Sequence, residues 1–189
     1  MKPRQLILHA GPHKTGTSSI QAVLRDQSFE AFYYPKSGQW PDGSHHHLVF
    51  SLVPELRRAD AESLEPEELL VRLQKELAEI SQDTLLISSE FLSTGCAHRV
   101  LAWLVHHGIV DPNGIRTLMV DRDWLSRAAS LYNQAVKDPY VGETRGPDQW
   151  LEEEAAKLSF EPMLADLQAA GTTVDVLSYE PADCWCLGC

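Results

Sequence analysis

Six places in the chain carry side chains whose types and spacing suit group-transfer chemistry. The first is the stretch from Gly11 to Ser18, where Lys14 sits among Thr15, Gly16, Thr17 and Ser18. Two glycines five residues apart, a lysine between them and a run of hydroxyls describe a loop that wraps an anion. Such a loop is strongest where it opens a helix, because unpaired N–H groups and the positive dipole end then add to the lysine charge. The second and third are Arg122 and Ser130. A guanidinium can grip a phosphate with two parallel hydrogen bonds, and a serine two turns into a following helix can give its hydroxyl to the same group. The fourth is Glu90, and the fifth is the histidine run, with His45 and His47 as its candidates. Either can take a proton from a nucleophile: a histidine at its ordinary pKa, a carboxylate once its pKa is raised. The sixth is Cys184, Cys186 and Cys189, a C-x-C-x-x-C run with only Asp183 nearby. It falls short of the four ligands of a structural zinc site and reads as a tail, so no metal is assigned.

The plain alternatives are a solvated loop lysine for Lys14, a surface salt bridge for Arg122, a helix-face serine for Ser130 and loop surface for the histidines. Glu90 could equally orient Lys14 or Arg122.

The elements that would position these groups alternate between strand and helix. Leu6-Ile7-Leu8 is a short apolar run of the sort found in a strand covered on both faces. The helix after it starts at Thr17-Ser18-Ser19 and carries Ile20, Val23 and Leu24. Phe32-Tyr33-Tyr34 suggests a short strand stopped by Pro35, and Leu48 to Val53 a short helix ending before Pro54. Ser63 to Ile80 shows Leu69, Leu70, Leu73, Leu77 and Ile80 at helical spacing. Thr84–Ser88 reads as a buried strand, Val100 to Val105 as a helix stopped by Gly108, Arg116–Val120 as a strand and Trp124–Val136 as a helix. Gln149–Ala170 is helical with a restart at Pro162, and Thr173–Ser178 is a last strand. This order predicts an α/β fold, a central parallel sheet flanked by helices. In such sheets ligands sit beyond the carboxyl ends of the strands, and the loop, Glu90, Arg122 and Tyr179 all fall there.

Composition narrows the function. With 189 residues the chain is expected to form one domain over 1–180, followed by a Cys-rich tail over 181–189. The net charge of −11 speaks against nucleic acid as a partner. The acid is concentrated in residues 51–90 and 146–189, whereas residues 1–50 and 91–145, which hold the anion-binding candidates, are slightly basic. No apolar run approaches a membrane span, and no signal peptide is apparent, so a cytoplasmic protein without a membrane partner is expected.

The glycine spacing matches a Walker A loop, but Thr17 takes the lysine position and Lys14 lies inside the loop. Asp121, ahead of Arg122, is the sole candidate for a Walker B carboxylate. An ATP-dependent phosphotransferase is therefore the weaker reading.

Pro12-His13-Lys14-Thr15-Gly16-Thr17-Ser18-Ser19 resembles the phosphosulfate loop of sulfotransferases that use 3′-phosphoadenosine 5′-phosphosulfate (PAPS). Arg122-Asp123-Trp124-Leu125-Ser126-Arg127-Ala128-Ala129-Ser130-Leu131-Tyr132 resembles their 3′-phosphate motif, and Val176-Leu177-Ser178-Tyr179-Glu180 their strand ending in Tyr-Glu. The resemblance implies a three-layer P-loop-type sandwich and PAPS as co-substrate without a metal. It implies that Lys14, Thr15, Gly16, Thr17 and Ser18 hold the 5′ end of the donor. Arg122 and Ser130 would hold its 3′-phosphate, and Tyr179 its adenine. Lys14 would steady the leaving group and Glu90 or His47 would act as base toward a small-molecule or carbohydrate acceptor. The family's late Arg-Lys-Gly element and its covering helix have no counterpart after Tyr179, so a C-terminally shortened sulfotransferase is expected. The exposed apolar sheet such a chain would leave points to a homo-oligomer. A catalytically impaired nucleotide-binding module is the alternative.

Overall fold

The computed structural model describes residues 2–57 and 64–179, with residues 156 and 157 in backbone only. Four strands, β1 (Arg4–His9), β2 (Thr84–Ser88), β3 (Val110–Asp121) and β4 (Thr173–Ser178), form one wholly parallel sheet in the order β2-β1-β3-β4. Seven α-helices connect them: α1 (Thr17–Asp26), α2 (His46–Leu52), α3 (Pro66–Ala78), α4 (Ala97–His106), α5 (Trp124–Lys137), α6 (Pro147–Glu154) and α7 (Phe160–Ala169). The chain leaves β1 toward β2 on one side and leaves β3 toward β4 on the other. The adjacent strands β1 and β3 therefore form the switch point, and a crevice opens beyond their carboxyl ends.

Alternation along the strands divides the core. Leu6, Leu8, Leu85 and Ile87 point into the large cluster with Leu48 and Val49 of α2, Leu69, Leu73 and Leu77 of α3, Val100 and Leu104 of α4 and Leu167 of α7. On the opposite face Ile7 and Leu86 meet Leu24 of α1, Phe29, Phe32 and Tyr34. The result is a three-layer α/β sandwich. In α3 the buried leucines recur every four residues, Pro66 stands in the first turn, where no N–H is needed, and Glu67 and Glu68 face the positive dipole end.

The ranges of β2 and β4 agree with the sequence reading, and three other places differ. The Tyr33 strand reduces to one parallel bridge: Tyr33 N donates to Thr84 O at 2.8 Å and Leu86 N to Tyr33 O at 2.9 Å. Pro35 then removes the next donor. Strand β3 begins six residues earlier than expected. Val110 pairs with Arg4 and Ile115 with Leu6, so residues 111–114 bulge out opposite Gln5. Pro112 and Gly114 hid this segment from a pattern reading. Gly114 suits this close approach, since a Cβ would stand a tight 3.3 Å from Gln5 Cα. Helices α6 and α7 break at Ser159 rather than at Pro162, which sits in the first turn of α7, where proline is tolerated. The expected start of α3 at Ser63 and the tail from 181 to 189 lie outside the described residues.

Candidate active site

The loop after β1 is built from two left-handed residues. Lys14 has φ 69° and Gly16 φ 80°. Lysine is disfavoured in that region by about 1 kcal/mol, and neighbouring contacts hold it there. Arg122 Nη1 donates to Lys14 O at 2.8 Å, and the buried Thr15 hydroxyl donates to Pro12 O at 2.8 Å. Gly16 is needed twice over: its φ is left-handed, and a Cβ would fall 2.9 Å from Tyr179 Cε2. Helix α1 then starts with no side-chain cap and no acid in its first turn. The left-handed loop residues and the uncapped helix start leave backbone amides at the loop, the construction of an anion nest, with one carboxylate, that of Glu90, bonded to Thr17 beneath it.

Beneath the loop lies a buried polar network. Thr17 Oγ1 donates to Glu90 Oε1 in a short hydrogen bond, and Gln21 Nε2 reaches Glu90 Oε2 at 3.3 Å and Ser88 Oγ at 3.0 Å. His9 Nδ1 shares Ser88 Oγ at 2.8 Å. His46 closes the network, with Nε2 3.4 Å from Glu90 Oε2 and Nδ1 2.8 Å from Ser89 Oγ. Burial pushes the Glu90 carboxyl up. The Thr17 hydroxyl, a backbone amide, His46 and Gln21 more than offset this and hold it below its ordinary value. Burial pushes the His46 imidazole down, against the pull of Glu90 and Asp42. Near neutral pH the arrangement is thus a carboxylate beside a neutral imidazole.

The histidine run is where the structure departs from the sequence reading. His45 is wholly buried, its Nε2 2.8 Å from Pro35 O and its Nδ1 accepting from Ser88 N at 3.1 Å. His47 packs on Trp40 at 4.6 Å and lines a separate cavity with Lys36 and Glu76. His46 faces the loop instead. Successive helical residues point about 100° apart, so one histidine of three meets a given site, and which one depends on the helix start at His46.

On the other flank Arg122 stands at the mouth of β3. Its Nε and Nη2 lie 3.1 and 2.8 Å from Ser126 Oγ, and its guanidinium carbon lies 5.2 Å from the centre of the Tyr179 ring. Tyr179 N donates to Asp121 O at 2.6 Å, which fixes the ring over Gly16. The Arg122 fork is therefore directed at Ser126 and the Lys14 carbonyl rather than toward Ser130. Ser126 was not singled out from the sequence, although its position four residues after Arg122 was a usable signal. Ser130 lines a cavity of about 670 Å³ with Lys14, Asn133, Gln134 and Lys137. A second cavity of about 430 Å³ gathers Lys14, Gly16, Thr17, Ser18, His46, Glu90, Arg122 and Tyr179. Lys14 and Gln134 border both. Seven of the sequence-derived candidates, Lys14, Gly16, Thr17, Ser18, Glu90, Arg122 and Tyr179, thus share one cleft, whereas Ser130 lies next door, Thr15 is turned inward and His47 lies elsewhere. Among the described residues no group of three or more His, Cys, Asp or Glu side chains is placed to hold a metal, and no helix is long and apolar enough to cross a membrane.

The class defined by this fold is an α/β sandwich with a glycine-bounded loop at its switch point. No family profile matches the chain, and no curated protein matches it. Among solved structures the chain is similar to the crystal structure of a sulfotransferase from Alicyclobacillus acidocaldarius, with a TM-score of 0.56 and 16% identity, over 97% of this chain and 75% of that one. The fold is sulfotransferase-like.

Proposed function

We propose that this chain transfers a sulfuryl group from PAPS to an acceptor hydroxyl or amine. The observation that carries the reading is the start of α1, which has no side-chain cap and no acidic residue of its own in the first turn, behind the left-handed Lys14–Gly16 loop, with His46 and the buried Glu90 in the same cleft. PAPS, when bound, supplies an activated sulfur attached to a phosphate through one bridging oxygen. The residues present suit such a donor. The loop amides and the Ser18 hydroxyl receive the 5′-phosphate, and Lys14 balances charge on the departing oxygen, work for which one well-placed donor is worth about 3 kcal/mol. Arg122 keeps Lys14 in place through its carbonyl and offers cationic charge beside Tyr179.

The bond from sulfur to the bridging oxygen breaks as the bond from sulfur to the acceptor forms, and the acceptor proton passes to the His46–Glu90 pair. A sulfate ester or sulfamate, 3′,5′-adenosine bisphosphate and one proton result. A triphosphate reading is weaker, since Thr17 fills the Walker lysine position and is buried against Glu90.

The test is release of 3′,5′-adenosine bisphosphate from PAPS in the presence of a panel of alcohols and amines. Acceptor-dependent release is expected, reduced by orders of magnitude in Lys14→Ala and separately reduced in His46→Asn and Glu90→Gln. Full activity in Lys14→Ala would remove the proposed role of the loop. Tight nucleotide binding without release would leave a binding module.

A further inference from the structure

The cleft has a second lining that the donor does not use. Trp40, Asp42 and Phe50 reach it from the 40–50 segment, and Glu90 and Phe91 from the turn after β2. The rings pack edge to face: Trp40 and Phe50 are 5.9 Å apart at 87°, Phe50 and Phe91 5.0 Å apart at 67°. Asp42 is anchored, its Oδ1 accepting from Ser44 N at 2.9 Å and from Ser44 Oγ at 2.6 Å. The nearby cation Arg25 is turned onto Asp26 at 2.7 and 3.1 Å and onto Pro41 O at 3.2 Å. Asp42 and Glu90 both act on His46, which burial keeps neutral. The cleft is therefore divided by charge. Lys14 and Arg122 make the donor side positive, while the remaining lining includes the Trp40 and Phe91 rings and the carboxylates of Asp42 and Glu90.

Aromatic faces beside a carboxylate attract an organic cation and repel an anion. We propose that the acceptor is a small alcohol bearing an ammonium group, its cation held by Trp40 and Asp42 and its hydroxyl turned to His46 and Glu90. This rests on the sulfuryl-transfer reading. It adds the acceptor's charge class, which the sequence left open.

A matched pair of probes tests it: choline, a permanent cation, and its uncharged carbon isostere 3,3-dimethylbutan-1-ol. Each is titrated into the full chain with and without 3′,5′-adenosine bisphosphate. Choline is expected to bind at least about tenfold more tightly than the isostere. Asp42→Asn and Trp40→Ala should each remove that preference, with the nucleotide titration reporting that each variant is folded. Equal affinity, preference for the isostere, binding of neither, or a preference that survives Asp42→Asn would overturn the acceptor assignment. A native chain that prefers choline but does not bind the nucleotide would overturn the donor reading and leave the cation pocket standing.

Discussion

The two halves of the sheet are built differently. Around β1 and β2 the polar side chains under the loop are locked together: Thr17, Ser88 and Glu90 are 3, 0 and 6% exposed and share one hydrogen-bonded network with Gln21, His9 and His46. Around β3 and β4 the functional groups sit at an open surface. Arg122 is held by Ser126 and one carbonyl, and Val176 and Leu177 of β4 are 46 and 52% exposed. Proton transfer, as proposed, would require fixed geometry and little water, which the first half offers. Capture of a large charged nucleotide, as proposed, would require access, which the second half offers. Lys14 belongs to both, held from one side and bordering both cavities.

Core truncation should give the largest contrast. Leu8→Ala, at a wholly buried position between β2 and β3, should lower the unfolding free energy by about 3–5 kcal/mol, and Leu177→Ala by about 0.5 kcal/mol or less, measured by denaturant titration. Comparable losses would erase the difference between the halves. Next comes Lys14→Ala. It should cut turnover about 10²- to 10³-fold while changing stability little, because the lysine side chain makes no core contact.

Acid should act on the first half. His45 is pushed down by burial to about 4 from 6.5, and burial displaces His9 and His46 in the same direction. Each is neutral in the fold and binds a proton on unfolding below pH 6.5. The stability they contribute is complete above that pH and is lost as pH falls toward the folded values. Glu90, held below 4.5, contributes above that pH and loses its contribution on further acidification. Denaturation midpoints should therefore decline from neutral pH to about 5, and less steeply in His45→Asn. An unchanged slope would show that the buried histidines do not titrate as the fold implies.

The smallest effect is expected at exposed pairs on either side. Breaking Arg116–Asp175, 2.7 Å apart across β3 and β4, or the α3 pair Arg72–Glu68 should cost about 0–1 kcal/mol, and less in high salt.

The sequence was informative wherever one local rule governs. Apolar runs placed β2 and β4, and four-residue leucine spacing placed α3. The glycine loop at a strand end located the cleft that Lys14, Glu90 and Arg122 share. It was silent where tertiary contacts decide. Nothing local tells that residues 111–114 bulge beside Gln5 or that the Thr15 hydroxyl turns in to Pro12 O. The choice of His46 over His47 depends on the phase of a seven-residue helix, set by the His45 N–Ser88 O hydrogen bond and the packing of His46 on Phe91 rather than by composition.

The central claim, that the loop is a phosphosulfate cradle and not a triphosphate site, is tested most directly by calorimetric titration of the native chain with 3′,5′-adenosine bisphosphate and with ATP–magnesium. The account predicts metal-independent binding of the bisphosphate, tighter than that of ATP–magnesium and weakened in Lys14→Ala. Preference for ATP–magnesium, or binding of neither nucleotide, would contradict it.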